Sequence, residues 1–323
     1  MRDFSSLSSG GGACLIKSSR SVALFSLVLL AGGSGINPAH AASLSVPNSS
    51  FESPATLYVD VNVGSWQKAP KPAWYAEAGG FLWTQLTGTF KNSAPGSFDH
   101  IENCEGAQGL WLFAVPEAGL FQDYESQDAN SPAPTHEFNA TFKVGRTYAL
   151  TVGVIGGGGG MSNGAPIELS LYYRDAASNR VQIASTQVTH SPAVFPDRNH
   201  FVDFHVEVPT VKATDPWAGE HIGIGILSTV TTNLQGGYWD LDNVRLAESS
   251  APVLAAAMLI DGTCRITLQS DPGRFEILAS TNLALPLAAW SSIGLLTNTA
   301  ANASITDPET NLLQRFYIAR ELP

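Results

Sequence analysis

Positive charge is scarce in this chain. Lys and Arg number 17 against 28 Asp and Glu, and the formal net charge is −11. Nucleic-acid binding rests on clustered Lys and Arg that neutralise phosphates, so the balance argues against that partner and against adhesion to an anionic membrane surface. Charged residues of both signs make up only 14%, against about 25% in ordinary soluble domains. Cysteine is sparse too: Cys14, Cys104 and Cys264. No two stand at metal-ligand spacing, and two lone, distant thiols are not a disulfide framework. Cys104 and Cys264 therefore read as free, buried thiols. Also missing are the nucleophile elbow, the phosphate-binding and dinucleotide fingerprints and the zinc-helix motif. The run Gly156–Gly160 leads into a strand pattern with no Lys behind it, so it reads as a flexible loop and not as a phosphate cradle.

Residues 1–41 read as a signal peptide. Arg2, Lys17 and Arg20 make a basic start, Val22–Ala31 a short apolar core, and Ala39-His40-Ala41 a small-x-small cleavage site. The apolar run falls short of the roughly 20 residues of a membrane span. Export and a soluble product, secreted, periplasmic or on the cell surface, are the expectation. No transmembrane segment is expected after cleavage.

Beyond that segment, period two dominates and no amphipathic helix stands out. Tyr148, Leu150, Val152 and Val154 alternate with small residues. Ile167, Leu169, Leu171 and Tyr173 share a face, as do Val202, Phe204, Val206 and Val208. These are half-buried antiparallel strands. The fold class is all-β: an antiparallel β-sandwich of the jelly-roll kind at 42–248, a linker at 249–253, and a small β-domain at 254–323. In that last part Arg265–Leu268, Arg274–Ala279, Trp290–Leu295 and Arg315–Ala319 are the candidate strands.

Two segments bracket the larger part: Val46-Pro47-Asn48-Ser49-Ser50-Phe51-Glu52-Ser53-Pro54 and Tyr238-Trp239-Asp240-Leu241-Asp242-Asn243-Val244-Arg245-Leu246. With Phe142–Val152 between them, they resemble bacterial exported jelly rolls of the carbohydrate-binding-module and galactose-binding-like superfamily. Phe275–Leu283, Trp290, Asp307 and Arg315-Phe316-Tyr317 resemble a small β-domain found at the ends of exported bacterial proteins, used for spacing or surface attachment. In the jelly rolls a structural Ca²⁺ joins the first and last strands. The resemblance thus implies calcium at Glu52 and Asp242, with Asn48 and Ser50 nearby. Calcium takes six to eight oxygens in irregular geometry, and a cation relieves two carboxylates that strand pairing forces together.

Exposed rings that stack on sugar faces are the matching ligand machinery. Trp66, Trp74-Tyr75, Trp83, Trp111, Phe113, Phe121 and Tyr124 are the aromatic supply, and Trp74, Trp83 and Tyr124 are the chosen platform. The leading expectation is a non-catalytic binding protein for carbohydrate or glycoconjugate. Two alternatives stand beside it: a structural or adhesive surface protein, and an enzyme on the same fold. Some calcium-dependent cyclases acting on alkaloid precursors share this resemblance and use a carboxylate near the last strand as an acid, which makes Asp240 or Asp242 the analogue here. A glycosidase-like enzyme would instead need two carboxylates about 5–9.5 Å apart in a cleft, and the candidate pairs are Glu102 with Glu105, Asp123 with Glu125, and Asp240 with Asp242. His205, between Asp203 and Glu207, reads as part of a solvated strand face.

Overall fold

The computed structural model describes residues 42–78, 80–127, 133–250, 252–299, 302–309 and 314–322. The signal peptide read in 1–41 and the middle of the polar loop at 126–135 lie outside the described residues.

Twelve strands come first: β1 (Ala42–Leu44), β2 (Val59–Asp60), β3 (Gln67–Lys68), β4 (Thr87–Lys91), β5 (Gln108–Phe113), β6 (Gly119–Gln122), β7 (Arg146–Gly158), β8 (Pro166–Arg174), β9 (Arg180–Thr189), β10 (Val202–Val208), β11 (Gly223–Ser228) and β12 (Tyr238–Ser250). They form an antiparallel sandwich. One sheet runs β10-β7-β12-β5-β4-β2, with β1 on the far end of β12, and the other runs β3-β6-β11-β8-β9. Among the described residues the only helical pieces are two three-residue 3₁₀ turns.

Alternation drives the packing. Tyr148, Leu150, Val152 and Val154 of β7 turn inward with Trp239 and Leu241 of β12, against Ile167, Leu169 and Leu171 of β8 and Ile224 and Ile226 of β11. Each such side chain contributes roughly 1.5–3 kcal/mol on burial. In β12 the register with β7 shifts between Asp242 and Arg245, where Asn243 sits at φ +56°. That is a β-bulge, and Asn tolerates the left-handed conformation it needs. The bulge lets Trp239 and Leu241 before it, and Val244 and Leu246 after it, all face the core.

The glycine run is only partly a loop. Gly156, Gly157 and Gly158 complete β7, because the ladder continues as far as the pair Gly158–Tyr238.

The chain continues through β13 (Val253–Met258), β14 (Cys264–Gln269), β15 (Gly273–Ser280), β16 (Ser291–Asn298), β17 (Asn302–Asp307) and β18 (Phe316–Leu322). These make two three-stranded antiparallel sheets, β13-β14-β17 and β16-β15-β18, around a cluster of their own that includes Ile266, Leu268, Phe275, Ile277 and Tyr317. β13 and β17 are additional to the four strands read from sequence. Asp307 is fully buried, but the Tyr317 hydroxyl donates to it at 2.9 Å and Arg315 pairs with it at 2.6 Å, which is the company a buried charge requires.

Candidate functional site

The site lies on the outward face of the seven-stranded sheet. In β5 the residues Leu110 and Leu112 face the core, which leaves Trp111 and Phe113 on the other side. Phe90 of β4 and Tyr238 of β12 join them. An apolar outward face needs a cover, and two connections supply it: the β4–β5 segment 92–107 and the β9–β10 segment 190–201. They are tied together. The Glu102 amide donates to the Asn199 carbonyl at 2.8 Å. The Asn103 side chain exchanges two hydrogen bonds with the Phe201 backbone, at 3.0 and 2.8 Å. His200 Nε2 lies 3.0 Å from Glu102 Oε2. Beneath them Ile101, Ile155 and Phe201 pack as a small cluster. Between sheet and cover is a cavity of about 950 Å³, walled by Trp111, Phe113, Phe90, Phe81, Phe98 and Tyr238.

Asp240 is part of the lining of this cavity. It sits on β12 between Trp111 of β5 and Ile155 of β7 and is 8% exposed. Among the described residues no hydrogen-bond donor reaches its carboxylate. Burial pushes its pKa up from 3.8 to about 7, against the opposing charge of Arg198, since an ion is poorly solvated there. Arg198 stands at the cavity edge, donates to the Tyr238 hydroxyl at 3.1 Å and holds its guanidinium 5.7 Å from that ring's centre.

Asp242 shares that strand face but not the cavity. It is fully buried, and its carboxylate accepts the Glu105 amide at 2.6 Å and the Asn243 amide at 2.7 Å. Burial raises its pKa to about 7 in spite of those two donors. Cys104 is close by. Burial first, and the Asp242 charge second, push its thiol far above the usual range. Both cysteines are free, Cys264 buried and Cys104 half-buried.

The residues read as calcium ligands divide. Glu52 accepts the Ala107 and Gln108 amides, both at 2.8 Å, so Glu52 and Asp242 approach the same 105–108 stretch. Asp242 has no Lys or Arg partner among the described residues, and a buried carboxylate in that position suits a cation. Asn48 is otherwise engaged: its amide donates to the Ser53 and Gly64 carbonyls and accepts the Ser53 amide, closing a turn. Ser50 lies half-buried in that turn. Among the described residues no three His, Cys, Asp or Glu side chains gather as a metal cluster. Of the four expected ligands, Glu52 and Asp242 are the two whose carboxylates meet the 105–108 stretch.

The aromatic platform does not assemble. Trp83 is buried in the core and donates its indole N–H to the Ala69 carbonyl at 2.7 Å. Tyr124 is sandwiched between His136 and His221, at 4.0 and 3.9 Å, so both ring faces are taken. Trp74 is exposed but bonded to Glu117 and packed edge-on against Tyr75. None of the three borders the cavity. Asp123 follows β6 at the other sheet, where Tyr172 and Arg174 of β8 hold it at 2.5 and 2.8 Å. His205 bonds Thr151 at 2.8 Å on the exposed side of β10. The rings that do form the cavity carried a signal in the sequence: Gly109–Phe113 is apolar at both parities, so both of its faces had to be covered.

Among solved structures, the Stig cyclase Fisc from Fischerella sp. TAU, in complex with (3Z)-3-(1-methyl-2-pyrrolidinylidene)-3H-indole, is similar. It is 22% identical, covers 65% of this chain and 99% of its own, and has a TM-score of 0.46. An apo cyclase from Fischerella sp. is 22% identical over 66% of this chain and 98% of its own, with a TM-score of 0.45. A CBM22 xylan-binding domain from Paenibacillus barcinonensis is 12% identical over 59% and 91%, with a TM-score of 0.30. No curated protein matches. Among the described residues no helix is long and apolar enough to cross a membrane. The family model described as HpiC1 cyclase matches residues 42–247, which take in the cavity, Asp240 and both covering segments, and the chain belongs to this HpiC1-like cyclase family.

Proposed function

We propose that the protein is an acid-catalysed cyclase for a neutral, apolar, unsaturated substrate, with Asp240 as the acid. The observation that carries this reading is the carboxyl of Asp240: buried, without a hydrogen-bond donor among the described residues, and facing an aromatic-walled cavity large enough for a small molecule. Family membership supports this reading over the sugar-binding one. In the step, the Asp240 O–H bond breaks and its proton goes to an unsaturated carbon of the substrate. A second double bond attacks the resulting cation and forms the ring's carbon–carbon bond. A neighbouring C–H then returns a proton to Asp240, so the product is an isomer of the substrate. The faces of Trp111, Phe113 and Tyr238 favour the developing positive charge.

A structural calcium ion at Glu52 and Asp242 is part of the proposal. It would supply positive charge to the buried Asp242 and the half-buried Glu52 where the first and last segments of the sandwich meet, away from the reacting atoms. Export through residues 1–41 remains a proposal on the same footing.

The test uses 3-alkenylindoles, because related Fischerella structures hold indole ligands. The parent protein should convert one of them into a product of unchanged mass, seen by chromatography with mass detection. Asp240→Asn should lose at least about a hundredfold in rate, the low end for removing a general acid. Conversion by the Asn variant at the parental rate would sink the assignment.

A further inference from the structure

Three rings of the cavity wall share one arrangement. Trp111 lies directly across the ladder from Gly88, and Phe90 directly across from Gly109. Tyr238 lies directly across from Gly158. In each pair the ring rests where the glycine has no side chain. A Cβ at Gly158 would stand 2.4 Å from Tyr238 Cε2, with the next two nearest atoms in the same ring. One at Gly109 would stand 2.9 Å from Phe90 Cζ, and one at Gly88 2.3 Å from Trp111 Cη2. None of the three glycines has positive φ, so the backbone does not demand glycine at these places. What demands it is the space under the ring, since real contacts do not close to such distances.

We propose that Gly109 and Gly158 determine which substrates the cavity accepts, by letting Phe90 and Tyr238 lie down on the sheet and so setting the depth of the wall beside Asp240. This rests on the cavity being the ligand site. Gly88 obeys the same geometry, but its Cβ would also meet the Asp60 carbonyl at 2.3 Å, so a substitution there would disturb the backbone as well. At Gly158 and Gly109 the obstruction is a side chain that can tilt, and the direction left open to it is into the cavity. Adding one methyl group under a ring therefore removes volume from the ligand and leaves the ladder paired.

The experiment compares a small and a large neutral probe, indole and the naphthalene dye prodan, titrated into the full chain by fluorescence or calorimetry. Gly158→Ala should weaken prodan about tenfold or more, the cost of roughly one methyl of lost space, and leave indole within about twofold. Gly109→Ala should act in the same direction. A second arm removes the ring: Tyr238→Ala should strengthen prodan relative to indole, and Gly158→Ala added to Tyr238→Ala should change neither probe. Melting temperatures of the parent, Gly158→Ala, Tyr238→Ala and the double variant should show the same coupling, with the alanine tolerated once the ring is gone. Prodan binding unaltered by Gly158→Ala, or equal losses for both probes with and without the Tyr238 ring, would overturn the proposal. If the parent takes up neither probe, it is the reading of the cavity as an apolar ligand site that fails. The melting-temperature cycle then still reports whether glycine and ring are coupled.

Discussion

Asp240 and Asp242 project from the same face of β12, two residues apart, yet the first opens into the cavity while the second is closed off by the amides of Glu105 and Asn243. Their neutral variants should therefore fail in different ways. Asp240→Asn should abolish turnover without loss of melting temperature. Asp242→Asn offers one acceptor oxygen where two were used, and should cost about 1–3 kcal/mol of stability. Thermal unfolding and single-turnover rates on both variants separate the two roles, and equal unfolding losses would refute the division.

Asp240 also makes stability depend on pH. Its folded pKa is about 7 against 3.8 ordinarily. Below about 3.8 the carboxyl is protonated in both folded and unfolded chains and contributes nothing. As pH rises toward 7 the unfolded chain ionises first, so stability falls, and above 7 the loss is complete. Relative to the parent, Asp240→Asn should be more stable at about pH 8 than at about pH 4.5, by on the order of 1–4 kcal/mol. Urea unfolding at the two pH values measures this. A difference that does not change with pH would mean that Asp240 titrates normally.

If calcium joins Glu52 and Asp242, added Ca²⁺ should raise the melting temperature and a chelator should reverse it. At a hundredfold excess over the dissociation constant the rise should be about 5–10 °C. Glu52→Gln should erase the response. A parent protein indifferent to both additions would exclude a bound ion.

The thiols should be inert. Burial raises Cys104 and Cys264 alike, and only a thiolate attacks. Iodoacetamide at about pH 8 should leave both unmodified over hours in the native protein and alkylate both in denaturant, read by intact mass. Rapid native labelling of Cys104 would show that the 104–108 stretch opens.

The strands were legible because their alternation is local: Tyr148 to Val154 and Val202 to Val208 state their faces within seven residues. β13 and β17 were harder to see. In β13 five of the six residues, all but Leu254, are small or exposed, and β17 alternates with Ala303 and Ile305 as its only apolar members. The cavity was illegible because it is assembled across the ladder. Trp111 and Asp240 are neighbours only because β5 pairs with β12. Trp74, Trp83 and Tyr124 stand out in the sequence by clustering along the chain, which says nothing about which ring face stays free. The carboxylate two residues before Asp242 was visible as a candidate. What the sequence could not say was which of the two faced open space.

The bulge at Asn243 has an implication for how this strand tolerates insertion and deletion. Successive residues of β12 alternate between indole inside and carboxyl outside, so losing or gaining a single residue between Tyr238 and Asp242 would send Asp240 into the core and Trp239 into the cavity. Beyond the bulge the strand has already absorbed one extra residue. On the Tyr238 side the ladder is irregular too, but there the extra residue lies on β7, between Ile155 and Gly158, so a change of length in β12 before Asp242 should cost activity, while one at Asn243 falls where β12 already carries an unpaired residue.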